Sequence, residues 1–131
     1  MQPEQDGKKQ TVWDIAFKPD GSLMVAAIGK RLVVFDPNDG TILKTKQAHG
    51  NDIYTVSCSR DGLYIASGAS DKTVSVWTWE LSQKYTYTHA DSIQALAFNP
   101  VMHNVLASCS SVDFAIWTVC PPCKARGSST P

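Results

Sequence analysis

Charge of one sign is scarce in this sequence. Twelve basic residues balance twelve acidic ones, and charged residues make up 18% of the 131-residue chain. No net field is available to draw in nucleic acid or an anionic membrane surface. The two basic pairs, Lys8–Lys9 and Lys30–Arg31, read as solvated ends and turns. Long hydrophobic runs are missing too. No stretch approaches the roughly 20 apolar residues that cross a bilayer as a helix, so direct membrane insertion is not expected. The opening MQPEQDGKKQ has no apolar core and does not read as a secretory signal, which points to the cytoplasm and to reduced cysteines. Helical periodicity of useful length is absent. So is any glycine-rich phosphate loop, since DGTI and DGSL have hairpin chemistry. No cofactor is expected.

What the chain does have is repetition. Hydrophobic content of 43% is that of a folded domain. Val12, Ile53 and Ile93 each open a short alternating run, VWDIAF, IYTVSC and IQALAF, at steps of 41 and 40 residues. Phe35, Trp77 and Trp117 close later runs at steps of 42 and 40, and His49 and His89 stand 40 apart. The turn pairs Asp20-Gly21 and Asp61-Gly62 keep the same spacing. Within each unit the period is two, with Gly, Asp, Asn and Pro about every ten residues, as antiparallel meanders require. The pattern predicts strands near 12–17, 23–28, 31–35 and 41–46. A second set falls near 53–58, 63–68, 73–78 and 83–88, and a third near 93–98, 104–109 and 113–118.

A repeat of about 40 residues built from four strands and a late Trp resembles the WD-repeat family. The fold class expected is all-β: about three four-stranded antiparallel WD40-type propeller blades, over residues 12–50, 51–91 and 92–118, in an incomplete propeller. Residues 1–11 form a polar N-terminal segment in this reading, and 119–131 a disordered tail. The resemblance implies a buried hydrogen-bonded set of His49, Ser67, Asp71 and Trp77 in the second unit, with the carboxylate bonded to the imidazole, the imidazole to the serine and the serine to the indole. The third unit keeps His89, Ser108 and Trp117. Asp113 stands only four residues before Trp117, against six for Asp71 and Trp77, and is left out of that partial set. In the first unit Phe35 replaces the Trp, no His precedes it, and a Gly29-Lys30 hairpin replaces the acidic turn.

DIAFKPDGS, LVVFDPNDGTIL, SGASDKTVSVWT, KYTYTHADSIQALAFNP and LASCSSVDFAIWT are similar to one branch of that family, the WD-repeat subunits of intraflagellar transport complex A. The resemblance implies a protein-interaction scaffold in retrograde ciliary transport and cilium assembly, with other complex A subunits as partners. It places the protein in the cytoplasm, the cilium and the ciliary base. A generic cytosolic WD-repeat adaptor is the alternative. Three blades do not close a ring, so truncation is expected, or self-association through open blade edges.

Other features compete with that reading. VCPPCK carries Cys120 and Cys123 at redox-motif spacing, but no helical periodicity or βαβ unit surrounds them, and a thiol oxidoreductase is the weaker alternative. A zinc site needs a second ligand pair that the sequence lacks, so no metal is expected. Cys58 and Cys109 sit in apolar alternations as inert thiols, and His103 sits in a solvated turn. Trp79, Tyr85 and Tyr87 admit two readings: packing between adjacent blades, or a partner patch. No catalytic residue is assigned.

Overall fold

β-branched and small residues alternating at period two, bounded by Asp-Gly and Asn-rich turns, give strand after strand and no helix among the described residues. The computed structural model describes residues 4–5, 8–9, 11–119 and 125–129. After two short strands, β1 (Glu4–Gln5) and β2 (Lys8–Lys9), the chain runs through three four-stranded antiparallel sheets. The first holds β3 (Val12–Phe17), β4 (Met24–Ile28), β5 (Arg31–Phe35) and β6 (Ile42–Gln47). The second holds β7 (Ile53–Cys58), β8 (Ile65–Ala69), β9 (Thr73–Trp77) and β10 (Gln83–Thr88). In the third are β11 (Ile93–Phe98), β12 (Val105–Ser110), β13 (Phe114–Thr118) and β14 (Ala125–Ser129). Each sheet is a simple meander, as in propeller blades, and the propeller is not closed.

Residues 125–129 form the fourth strand of the third blade, their backbone paired with β13, and Val119 before them is buried. The physical reason is the open edge of β13, whose unpaired N–H and C=O groups accept another strand without demanding alternating apolar side chains. Cys120 and Cys123 lie outside the described residues.

Register makes the three blades equivalent. Met24 faces Phe35, Ile65 faces Trp77, and Leu106 faces Trp117 across the second and third strands. The innermost strand of every blade carries one bulge, at Trp13, Tyr54 and Gln94. A bulge leaves its residue out of the ladder and re-aims its side chain.

Blades are held together face to face. Val25, Ala27, Leu32 and Val34 of the first blade meet Ile53, Val56, Ile65, Trp77, Trp79 and Leu81 of the second. Ala66, Val74, Val76 and Tyr87 of the second meet Ile93, Phe98, Leu106 and Val119 around the third. Burying one such aliphatic side chain contributes about 1.5–3 kcal/mol, so these faces dominate the stability. Close approach at the inner end needs a missing side chain. A Cβ at Gly68 would lie 2.4 Å from Ile93 Cγ2 and 2.9 Å from Ile93 Cβ. Polar bonds tie the same seams: Asp14 Oδ2 accepts from the Val56 amide at 3.0 Å, and the Gly29 carbonyl accepts from the Ile53 amide at 2.8 Å.

The free face of the third blade shows what the buried seams hide. Ala107, Cys109, Phe114 and Ile116 stand where Ala66, Gly68, Val74 and Val76 stand in the second blade. Phe114 is 46% exposed, whereas Val74 is fully buried.

Candidate functional site

The polar residues that recur with the blade period meet in the second blade. His49 follows the outer strand of the first blade, and its amide bonds the Lys30 carbonyl at 3.3 Å. That contact aims the ring into the second blade. There its Nδ1 lies 3.1 Å from Asp71 Oδ2, and its Nε2 2.7 Å from Ser67 Oγ. The Trp77 indole N–H donates to the same Ser67 Oγ at 2.9 Å. Asp71 also accepts the Thr73 hydroxyl at 2.6 Å and the Gly50 and Thr73 amides at 3.1 Å each. All four residues of the predicted set are therefore in one network.

These partners fix the chemistry. Asp71 accepts only, so His49 carries its proton on Nδ1 and its Nε2 accepts from the Ser67 hydroxyl. Burial pushes the His49 ring below its ordinary value, outweighing the opposing pull of Asp71. Burial also works to raise the Asp71 carboxyl. The Thr73 hydroxyl, the His49 ring and the Gly50 and Thr73 amides overcome it and leave the carboxyl below the usual range. A neutral imidazole beside an ionised carboxylate is the result.

Asp113 departs from expectation. Its Oδ1 lies 3.0 Å from His89 Nδ1, and the Ala90 amide donates to its Oδ2 at 3.3 Å. His89 Nε2 is 2.6 Å from Ser108 Oγ, which also accepts the Trp117 indole N–H at 2.8 Å. The third blade thus carries a full set rather than the partial one of His89, Ser108 and Trp117. Counted back from the Trp, Asp113 occupies the place of Thr73, whose hydroxyl already lies 3.0 Å from His49 Nδ1. The shorter turn brings a carboxylate to the ring from the residue just before β13, whereas Asp71 stands two residues before β9. The Ser110 hydroxyl donates to Asp113, as Thr73 does to Asp71. Ser110 first among these donors, with the His89 ring and the Ala90 amide, holds the Asp113 carboxyl below its usual range against burial.

The first blade has none of this, consistently. Ala26 replaces the serine and Phe35 the tryptophan, so no indole N–H needs an acceptor. Both are buried with Ile28 and Val33.

Each His–Ser–Asp set looks like a hydrolytic triad, but its serine is spoken for. Ser67 is fully buried and Ser108 is 3% exposed, and both accept an indole N–H. No substrate carbonyl reaches them without breaking the blade. Among the described residues no group of His, Cys, Asp and Glu has the arrangement of a metal site. Burial pushes the half-buried Cys58 thiol up to about 12, which makes it a poor nucleophile.

The aromatic patch divides. Trp79 is 6% exposed and Tyr87 is 8% exposed, and both pack between blades, the first of the two readings given for Trp79, Tyr85 and Tyr87. Tyr87 stacks on Trp117 of the third blade, with ring centroids 4.1 Å apart and planes 7° from parallel. Tyr85 is half-buried against the same core, and Trp79 folds back beneath Lys18, whose Nζ is 5.8 Å from the ring centre. His103 is half-buried in its turn.

Sequence reasoning passed over a different aromatic pair. Trp13 and Tyr54, both bulge residues, are 45% and 37% exposed, and their rings meet edge to face with centroids 5.0 Å apart. With Ile93 and Gln94 they line a cleft of about 330 Å³. The signal was available: each is the second residue of its repeat, at a step of 41.

Comparison with known proteins adds the following. The profile of the family described as the IFT122 first beta-propeller matches residues 11–122. The mouse intraflagellar transport protein 122 homolog is 46% identical over 114 residues, which are 87% of this chain and 10% of that protein. Its human counterpart is 45% identical over 114 residues, 87% of this chain and 9% of its own length. The chain therefore spans about a tenth of the curated relatives it matches. Among solved structures, U3-55K superposes with a TM-score of 0.87 at 22% identity, over 95% of this chain and 41% of its own, and supports the fold alone.

Proposed function

This chain belongs to the IFT122 first beta-propeller family, and on that premise we propose that it is a non-enzymatic protein-interaction scaffold of intraflagellar transport complex A. The match over residues 11–122 carries the reading. The buried serines of both His–Ser–Asp sets favour architecture over catalysis, because every polar atom in them is committed to bracing a blade. Partners in this reading are the other complex A subunits. The sites of action are the cytoplasm, the ciliary base and the cilium, in retrograde transport and cilium assembly. The free face of the third blade, with Phe114 and Ile116 exposed, is built to receive a further blade.

Affinity capture tests the reading. The tagged 131-residue chain, incubated with purified complex A subunits, should retain at least one of them. A chain folded by circular dichroism that retains none of the subunits overturns it.

A further inference from the structure

The tip that joins β9 to β10, residues 78–82, carries two unfavourable features inside a buried seam. The first is backbone strain. The Leu81 amide donates to the Thr78 carbonyl and the Thr78 amide to the Ser82 carbonyl, each at 3.0 Å, and this turn holds Leu81 in the left-handed region at φ 62°. The matching turn of the first blade closes with the same two bonds, from Gly40 to Asp36 and from Asp36 to Thr41, and puts a glycine there at φ 75°. A Cβ disfavours that backbone, so glycine is the ordinary choice and leucine is not. Leu81 is held in place by its side chain, which is 4% exposed and packed between the first and second blades.

The second feature is an orphan donor. Trp77 and Trp117 give their indole N–H groups to Ser67 and Ser108. The Trp79 indole N–H is buried in the same seam as Leu81 and meets no acceptor among the described residues. Such a donor gains a hydrogen bond as soon as it reaches water. Against these two features stand the apolar burial of both side chains, Lys18 Nζ at 5.8 Å from the Trp79 ring centre, and Lys46 Nζ at 3.4 Å from the Leu81 carbonyl oxygen. Glu80 and Ser82 are exposed, and the ladder between β9 and β10 runs from Thr73 to Trp77 without the tip. The tip can therefore move without breaking that ladder or the network of His49, Ser67, Asp71 and Trp77.

We propose that residues 78–82 form a latch between the first two blades, which swings out and back as a unit while both sheets stay folded. Opening relaxes the Leu81 backbone and hydrates the Trp79 N–H, and closing restores the burial of both side chains. The two opposing sets of terms give the seam a local opening that needs much less free energy than unfolding the blades. The latch puts an indole, the side chain type most prominent in protein interfaces, under conformational control.

The test is indole N–H hydrogen exchange, followed by NMR on the full 131-residue chain, with signals assigned through Trp77→Phe, Trp79→Phe and Trp117→Phe. The Trp79 signal should exchange at least about tenfold faster than that of Trp77, and low urea should leave its rate unchanged, as for a local opening. Lys18→Ala removes the cation beside the Trp79 ring and should speed Trp79 exchange while Trp77 exchange keeps its rate. A second readout is Leu81→Cys. Iodoacetamide should label the introduced thiol under native conditions and leave Cys58, which packs against the same seam, unlabelled. Trp79 exchange as slow as that of Trp77 overturns the proposal, and so does an introduced thiol at 81 that resists labelling. Labelling of both thiols overturns it as well, because the whole seam would then be opening rather than the tip.

Discussion

His89 and Asp113 are in hydrogen-bond contact, Nδ1 to Oδ1 at 3.0 Å, although their blade has a shorter turn than its neighbour. The carboxylate reaches the ring from the residue just before β13, one step nearer its strand than Asp71 is to β9. Asp113→Ala should therefore lower the denaturation midpoint, and so should Asp71→Ala. For Asp71 the expected loss is about 1–3 kcal/mol, because the His49 ring and the Thr73 hydroxyl lose their acceptor. Urea titration of both variants checks this. A midpoint unmoved by Asp113→Ala would restore the partial set of His89, Ser108 and Trp117.

Acid should destabilise the chain in two stages. The His49 ring is held neutral by burial, below its ordinary 6.5, so the unfolded chain binds that proton first. The contribution of the neutral ring is complete above about pH 6.5 and falls as pH drops below it. Asp71, depressed below 3.8, adds a second loss as pH falls through its lowered folded value. Urea midpoints measured from about pH 8 to about pH 5 should decline, and more weakly in His49→Gln. A flat profile would contradict the neutral-ring assignment.

Gly68→Ala should destabilise by about 1–3 kcal/mol through overpacking. The new methyl collides with the Ile93 side chain, and Thr55 Cγ2 at 3.1 Å closes the other side. Ile93→Ala creates space at the same spot, so the double variant should be more stable than the two single losses predict. Strict additivity would mean that the second and third blades are not seated as described.

Cys58 should resist alkylation in the folded chain. Its thiol is pushed up to about 12 by burial and packs against the core between the first two blades. Peptide mass spectrometry after iodoacetamide at mildly alkaline pH should find it unmodified until urea is added. Ready labelling under native conditions would show that this core opens.

How much was legible in advance differs by residue. The resemblance to WD repeats implied the set of His49, Ser67, Asp71 and Trp77, while the 40-residue period by itself marked only His49 and Trp77. Asp113 was missed because spacing was counted from the Trp, while geometry depends on which strand position faces the ring. Thr73, whose hydroxyl props the carboxylate, sits at that same position and was overlooked for the same reason. For Trp79 and Tyr87 the sequence left two readings open. Both lie beyond the end of β9, where a sequence suggests surface, but the chain folds them back between blades. Asp14 gave no periodic signal, since Thr55 and Ala95 hold its place in the other blades.

Gly68 has one more consequence. Two sheets that nearly touch at the inner strands, yet are spaced by Trp117 stacked on Tyr87 further out, must diverge like spokes. The narrow end sets the angle between spokes, and that angle fixes how many fit around a hub. Cys109, which holds the same place on the free face of the third blade, carries a side chain where Gly68 has none. Whatever sheet seats there must give up the bulk that Ile93 supplies one seam earlier.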